Sequence, residues 1–173
     1  MEPLLEVDNL KIDAHKDDGS LTPIVKGVSF NVKPGEVVAL IGESGSGKTT
    51  IALSALGYTK PGLEFTSGEV RLNGQDVISM PSEEKRYMRG QKVAYLAQSA
   101  AATFNPAMTI GEQVTESAII HGQLLKEDAE NRAKELYRAL ELPEPERLGK
   151  RYPHQVSGGQ LQRLMAAMAL CGK

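Results

Sequence analysis

Residues 37–50 read VVALIGESGSGKTT, and this stretch decides the fold. Its first five residues are all apolar, which is typical of a parallel strand that is covered on both faces. The loop that follows fits the pattern G-x-x-x-x-G-K-[ST] at its four fixed positions: Gly42, Gly47, Lys48 and Thr49. A run with helical character continues to Leu56, and Gly57 is placed to end it. The stretch therefore predicts a strand, a glycine-rich loop and a helix, in that order.

The phosphate loop (residues 42–49) has the chemistry of a triphosphate site. Its glycines let successive backbone N–H groups curl around a phosphate and approach it closely. The start of the helix adds unpaired N–H donors and the positive end of the helix dipole. The Lys48 ammonium would neutralise the outer phosphates, and the Thr49 hydroxyl would ligate Mg²⁺. These residues predict a bound nucleoside triphosphate, with ATP preferred, and the alternative is a glycine-rich turn without a ligand.

Strand patterns flank this loop on both sides. The further predicted strands are residues 5–12, 28–32, 70–72 and 93–96. A polar turn at residues 16–20 separates the first two, and Asn73-Gly74 after the third is a strong hairpin signal. After Gln98 the hydrophobic period becomes helical, and it predicts helices within residues 110–118, 129–140 and 161–169.

The composition is that of an ordinary globular domain. A chain of 173 residues can bury one core, and a net charge of −2 excludes the basic surface of a nucleic-acid-binding protein. The single cysteine, Cys171, excludes an internal disulfide and fits a reducing compartment. No apolar run approaches the roughly 18 residues of a membrane span, and we expect no secretory signal, since the first residues show neither its basic start nor its apolar stretch. We expect no direct membrane span and no nucleic-acid partner.

A second glycine-rich segment, Ser157-Gly158-Gly159-Gln160, lies just before the last predicted helix. Serine followed three residues later by glutamine is a capping box, which is a routine start of a helix. Two glycines in a first helical turn cost about 1 kcal/mol each relative to alanine, and a cap does not need them. Bare backbone at a helix N-terminus is what an anion site needs. The segment is therefore either a helix cap or a second phosphate site.

With both glycine segments in view, the chain resembles the nucleotide-binding subunit of an ATP-binding cassette (ABC) transporter over its whole length. The segment Ser157–Gln160 is similar to the family signature, with Val156 where the family usually has Leu, and it is named the signature segment. Gln98 follows a short apolar strand, as the Q-loop glutamine of the family does. A narrower similarity to importers of dipeptides, oligopeptides and nickel rests on Met88-Arg89-Gly90, Phe104-Asn105-Pro106, Ile110-Gly111-Glu112-Gln113 and Tyr152-Pro153-His154-Gln155.

The resemblance implies a role for each motif. Gly42 to Thr50 would wrap the phosphates, and Thr49 and Gln98 would hold Mg²⁺. The signature segment would close on the γ-phosphate bound by a second subunit, in a homodimer or a heterodimer, so that ATP drives dimer closure. Residues implied to contact ATP are Gly42, Glu43, Ser44, Gly45, Ser46, Gly47, Lys48, Thr49, Thr50, Gln98, Ser157, Gly158, Gly159 and Gln160.

The implied fold is α/β, a P-loop NTPase of ABC type. It combines a parallel core sheet and N-terminal antiparallel strands with an α-helical subdomain, and it is truncated before the Walker B strand. The expected parts are an ATP-binding core at residues 1–98, a helical subdomain at 99–156 and a signature helix at 157–173. The helical subdomain would dock on transmembrane permease subunits, at the cytoplasmic face of the plasma (inner) membrane.

The chain also departs from the family pattern. Ala14, followed by His15, stands where the family stacks adenine on an aromatic residue, and Ser99-Ala100 replaces the Asp-Pro that often follows the Q-loop glutamine. The Walker B carboxylates and the switch histidine are expected beyond Lys173, so no catalytic residue is assigned. We interpret the chain as an N-terminal part of a longer protein, and we expect this part alone to be inactive and marginally stable or self-associating.

The leading hypothesis is therefore the ATPase subunit of an ABC importer, with peptides as the expected cargo. One alternative is the ATPase of a non-transport ABC complex, such as one for phosphonate breakdown. A P-loop kinase for a small molecule is another, although a kinase needs an acceptor pocket and not a second phosphate clamp. A non-catalytic nucleotide-binding module is the third.

Overall fold

The computed structural model describes residues 2–172, which form two compact units, Met1–Arg86 and Tyr87–Lys173. The two compact units reflect contacts within the chain and do not test a division by function. The three-part division into residues 1–98, 99–156 and 157–173 therefore stays a prediction. None of the helices in the described residues is long and apolar enough to cross a membrane.

The first unit is built on a four-stranded antiparallel sheet in the order β2-β1-β3-β4. Its strands are β1 (Leu5–His15), β2 (Leu21–Val32), β3 (Leu63–Leu72) and β4 (Gln75–Asp76). The helix α1 (Lys48–Ser54) follows the phosphate loop, and α2 (Ser82–Gln91) follows the sheet. The predicted N-terminal strands, the turn between them and the helix after the loop are thus confirmed.

A bulge in β1 explains an irregularity in its apolar pattern. The apolar positions Val7 and Leu10 are three residues apart, although strand residues on one face alternate by two. Asn9 has a φ of 45°, and the register of β1 shifts there against both neighbouring strands. The extra residue lets Val7 and Leu10 lie on the same buried face. Gly68 permits this, since a Cβ at that position would lie 2.4 Å from the Asn9 carbonyl oxygen.

The hairpin between β3 and β4 forms as its turn residues predict. Asn73 and Gly74 both have positive φ, at 51° and 77°. This is the backbone of a type I′ turn, which suits the twist of an antiparallel hairpin. The prediction from Asn73-Gly74 is confirmed.

Two of the predicted strands are wrong for this structure, namely residues 37–41, expected as a parallel strand, and residues 93–96. Residues 37–41 and 93–96 take no strand conformation, and the pairings of the described strands are all antiparallel. The side chains of Val37 and Ile41 are 93% and 95% exposed. An apolar run becomes a parallel strand only when distant segments supply hydrogen-bonding neighbours on its edges. Within residues 2–172 no segment pairs with either run, so the sheet that the structure describes is the antiparallel one, in a chain of mixed α/β structure.

The second unit is helical, as predicted. It contains α3 (Ile110–Ile120), α4 (Lys126–Ala139), α5 (Pro145–Leu148), a short 3-10 helix (Pro153–Gln155) and α6 (Gly158–Leu170). The predicted apolar stripes form its core, with Ile110, Val114, Ala133 and Leu164 among the buried residues. Cys171, the residue that follows α6, is also buried in this core, and burial raises the pKa of its thiol.

One buried glutamine shapes the loop ahead of α3. The Gln113 amide nitrogen donates to the carbonyl oxygens of Asn105 and Met108, both at 3.0 Å, and its side-chain oxygen accepts the Asn105 N–H at 2.8 Å. Thr109 and Glu112 then form a capping box that starts the helix. These bonds hold residues 105–109 against the core without regular secondary structure.

Tyr137 is the largest fully buried side chain of the helical core, and its hydroxyl has no hydrogen-bond partner among the described residues. Burial raises the pKa of this phenol, so it stays neutral. An unsatisfied buried hydroxyl costs about 1–3 kcal/mol, so Tyr137→Phe is expected to increase the free energy of unfolding by about 1 kcal/mol. Denaturant titration followed by circular dichroism would measure it, with the exposed Tyr95→Phe as the matched control. A loss of stability in Tyr137→Phe would mean that the hydroxyl is bonded.

Candidate functional site

The phosphate loop reverses direction within a few residues. The N–H of Ser46 donates to the carbonyl oxygen of Glu43 at 3.2 Å, which closes a turn. Gly45 and Gly47 have φ values of 83° and 87°, a left-handed conformation that glycine adopts without strain. A Cβ at Gly42 would lie 2.7 Å from the Ser46 hydroxyl oxygen. The three glycines are therefore needed by the backbone path and by the close approach of the loop to itself.

The Lys48 side chain stabilises the phosphate loop by hydrogen bonds to other residues of the loop. Its ammonium donates to the carbonyl oxygens of Gly42 at 2.8 Å and Glu43 at 2.5 Å, and the Ser46 hydroxyl lies at 3.3 Å. The contacts place a positive charge at the centre of the loop, where an anion can replace the carbonyl oxygens as its partner. This arrangement fits a bound phosphate group.

The start of α1 adds backbone donors next to that charge. The helix begins at Lys48, and Gly47 is its N-cap without a side-chain cap bond. The first N–H groups of a helix have no partner within the helix, and they lie at the positive end of its dipole. Thr49 is exposed, so its hydroxyl can reach a ligand, whereas Thr50 is buried. The loop, Lys48 and Thr49 together fit a magnesium–triphosphate group.

Gln98 lies in the second unit, in an irregular segment between α2 and α3. Its side chain is exposed and available to a ligand. The residues near it are anchored, since Ala100 is buried in the helical core and Ala97 packs against that core. An exposed amide on an anchored segment is compatible with the magnesium role that the resemblance implies.

The signature segment is an N-terminal cap, as one of the two readings of the sequence states. The Ser157 hydroxyl accepts the N–H of Gln160 at 3.2 Å, and the Gln160 side chain accepts the N–H of Ser157 at 2.9 Å. Gly158 and Gly159 are exposed, and a Cβ on either would meet nothing within 4 Å. The cap therefore explains Ser157 and Gln160, but packing in this chain does not explain the two glycines.

Two residues that follow the signature segment, Gln162 and Arg163, make contacts that the sequence does not reveal. The Gln162 amide donates to the Gln98 carbonyl oxygen at 3.5 Å, and Arg163 donates to the carbonyl oxygens of Leu140 and Glu141. The partners are 64 and more than 20 positions away along the chain. The local pattern signals only that the two residues lie on the exposed side of an amphipathic helix.

His15 lies beside the position at which the family stacks adenine, and the structure gives it a polar neighbour. It ends β1, and its Nε2 lies 3.0 Å from a carboxylate oxygen of Glu64, a polar contact at the surface. Ala14, one residue earlier, pairs with Leu63 in the β1–β3 ladder. The structure thus gives the histidine an ordinary surface contact.

The chain is similar to known proteins along almost all of its length. The family model described as ABC transporter matches residues 25–173. An oligopeptide transport ATP-binding protein, AppD of Bacillus subtilis (strain 168), is 40% identical over 98% of this chain and 52% of its own length. A putative peptide import ATP-binding protein of Brucella abortus (strain 2308) is 39% identical over 98% of this chain and 51% of its own length. The chain thus spans about half the length of the curated relatives it matches.

A solved structure gives the same relationship in three dimensions. It is a dimeric ATP-binding cassette in a post-hydrolysis state with ADP and Pi bound. The match has a TM-score of 0.82 at 29% identity and covers 97% of this chain and 69% of the other. The fold of the chain is therefore similar to that of an ATP-binding cassette.

Proposed function

The chain belongs to the ABC transporter family, and on that premise we propose that it is part of the ATP-binding subunit of a peptide importer. The observation that carries the proposal is the 40% identity to an oligopeptide transport ATP-binding protein over 98% of the chain. A relative in Brucella abortus with a peptide-import name supports the same cargo class. The narrower sequence similarity around Phe104-Asn105-Pro106 agrees with it.

In the proposed subunit the phosphate loop and Thr50 wrap the phosphates of ATP. Lys48 exchanges its loop carbonyl partners for the outer phosphates, because a charged acceptor makes the stronger hydrogen bond. Thr49 and Gln98 would hold Mg²⁺, which would neutralise the charge that develops during phosphoryl transfer. No carboxylate of this chain is assigned the role of general base.

The signature segment serves a second ATPase subunit. Its exposed glycines leave bare backbone at the start of α6, so N–H groups and the helix dipole face an approaching γ-phosphate. ATP bound by one subunit is thereby clamped by the other, and only the closed pair makes both sets of contacts. The dimeric cassette found among the similar structures supports this pairing, in a homodimer or a heterodimer.

Membership of the family is the basis for the proposed domain boundaries, the permease partners and the location at the membrane. The ATP-binding core is assigned to residues 1–98, the helical subdomain to 99–156 and the signature helix to 157–173. The helical subdomain docks on transmembrane permease subunits, and the protein works peripherally at the cytoplasmic face of the inner membrane. Hydrolysis of ATP then drives the import cycle.

The cargo can be tested in the organism that carries the gene. Deletion of the gene is expected to reduce uptake of isotopically labelled oligopeptides about tenfold or more, because transport without ATP lacks its driving step. Wild-type protein should restore uptake, and Lys48→Ala should not. Normal peptide uptake in the deletion strain, with loss of nickel uptake instead, would exclude peptides as the cargo and leave the ATPase assignment in place.

A further inference from the structure

Gln162 and Arg163 are neighbouring side chains in α6 whose contacts leave the helix. Both are exposed, whereas Leu161 and Leu164 on either side of them are buried in the helical core. They come directly after the signature segment, within two turns of the start of α6. Because neither side chain fills the core, their role lies in the contacts they make.

Arg163 joins α6 to the end of α4. One guanidinium nitrogen donates to the carbonyl oxygens of Leu140 at 3.1 Å and Glu141 at 2.8 Å. The helix α4 ends at Ala139 with Leu140 as its C-cap, so the Leu140 carbonyl group is among those that a helix leaves without an internal partner, and Glu141 is the residue that follows the cap. A cation is also favourable at the negative end of the helix dipole. The contact therefore fixes the start of α6 against one particular end of α4.

Gln162 joins α6 to the segment that carries Gln98. Its amide nitrogen lies 3.5 Å from the Gln98 carbonyl oxygen, a long hydrogen bond across 64 positions of sequence. The acceptor is the main chain, so the Gln98 side chain is left free to reach a ligand. A shift of the backbone at Gln98 would act directly on the first turns of α6.

The core beneath the two segments is shared. Ala100 and Leu161 are buried in one hydrophobic cluster, and Ala97 packs against it. Packed cores move as units because they are dense and resist deformation. Gln162 and Arg163 add hydrogen bonds to this apolar contact. These bonds fix the orientation and register of α6 against the segment at Gln98 and the end of α4.

We propose that Gln162 and Arg163 are positioning residues that hold the signature segment in register with the main chain at Gln98 and the end of α4. This rests on the proposed function, in which Gln98 faces the nucleotide of its own subunit and the signature segment faces that of the partner. The Gln162–Gln98 contact then links the two nucleotide sites of the dimer. Binding at one site changes the position of the signature segment at the other, which is a coupling between sites.

The test uses the full-length protein in its assembled complex. Gln162→Glu keeps the size of the side chain but replaces the donor with an acceptor, and Arg163→Ala removes the donor. Gln162→Lys and Arg163→Lys each retain a donor and serve as rescue variants. Gln75→Ala and Arg147→Ala, at exposed positions outside the proposed site, are the matched controls.

In the wild-type complex, hydrolysis is expected to depend on ATP with a Hill coefficient approaching about 2, the number of sites. Gln162→Glu and Arg163→Ala should lower this coefficient toward about 1 and reduce kcat about fivefold to tenfold. ATP binding measured without Mg²⁺ should stay within about twofold of wild type, because the phosphate loop is unchanged. The lysine variants should recover at least about half of kcat, and the controls should match wild type.

Wild-type cooperativity and kcat in Gln162→Glu would overturn the positioning role. So would a parallel fall in ATP affinity and melting temperature without rescue by lysine, since that pattern marks a purely structural contact. Lys48→Ala, assayed beside them, distinguishes a failure of the proposed function from a failure of the positioning role alone. If Lys48→Ala hydrolyses ATP as wild type does, the proposed function is wrong, and the positioning role falls with it. If Lys48→Ala is inactive while Gln162→Glu behaves as wild type, only the positioning role is wrong.

Discussion

Lys48→Ala is expected to weaken the binding of a fluorescent ATP analogue about a hundredfold or more, a loss of about 3 kcal/mol. The ammonium already lies within the phosphate loop, held by the carbonyl oxygens of Gly42 and Glu43. With phosphate present it forms charge-assisted hydrogen bonds, which contribute about 1.5–3 kcal/mol each. Alanine removes these bonds together with the positive charge that attracts the triphosphate.

The measurement is a fluorescence titration of the purified protein, with Lys60→Ala as the matched control. Lys60 is an exposed lysine of the same compact unit that lies outside the phosphate loop. Lys48→Arg keeps the charge in a different shape and should bind more tightly than Lys48→Ala. Undiminished binding by Lys48→Ala would refute the assignment of the phosphate loop. Circular dichroism and melting of the variant show whether a loss of binding comes from the site or from unfolding.

Gly158→Asp is expected to reduce ATP hydrolysis by the full-length protein about a hundredfold while the fold stays intact. The substitution meets no steric obstacle, since a Cβ at Gly158 has nothing within 4 Å in this chain. A carboxylate in the first turn of α6 interacts favourably with the helix dipole, by about 0.3–1 kcal/mol. The same carboxylate repels the γ-phosphate that the partner subunit presents to the signature segment in the proposed dimer.

Three measurements on Gly158→Asp define the expected pattern. The melting temperature should stay equal to that of wild type or rise, ATP binding by the phosphate loop should be unaffected, and ATP-driven dimer formation should be lost. Gly158→Ala is the control, because it adds a methyl group without charge and should have a smaller effect. Full hydrolysis by Gly158→Asp would show that the segment is a helix cap alone.

The candidate site divides into parts that the sequence reveals and parts that it does not. The phosphate loop is a continuous segment, so its glycine spacing and Lys48 identify it without any tertiary information. The capping box at Ser157 is equally local, and the structure confirms it. The contacts of Gln162 and Arg163 join positions far apart in the chain, and a helical pattern says nothing about which distant carbonyl groups will lie nearby.

The sheet shows the same division. Alternating apolar residues and the Asn73-Gly74 turn identify the antiparallel strands, because a hairpin brings its partners together over a few residues. Residues 37–41 have an equally strong strand composition but take no strand conformation. Their composition reports a preference for burial, whereas a parallel strand forms only with neighbours from elsewhere in the chain.

The sequence by itself therefore determined the phosphate loop, the hairpin turn, the helical stripes and the capped start of α6. Each of these depends on dihedral preferences, hydrogen bonds or apolar periodicity within a few residues. Only the tertiary structure decided the bulge at Asn9, the exposure of residues 37–41 and the link between Gln162 and Gln98. These features depend on which distant backbone groups become neighbours, and that is settled by packing and strand pairing over the whole unit.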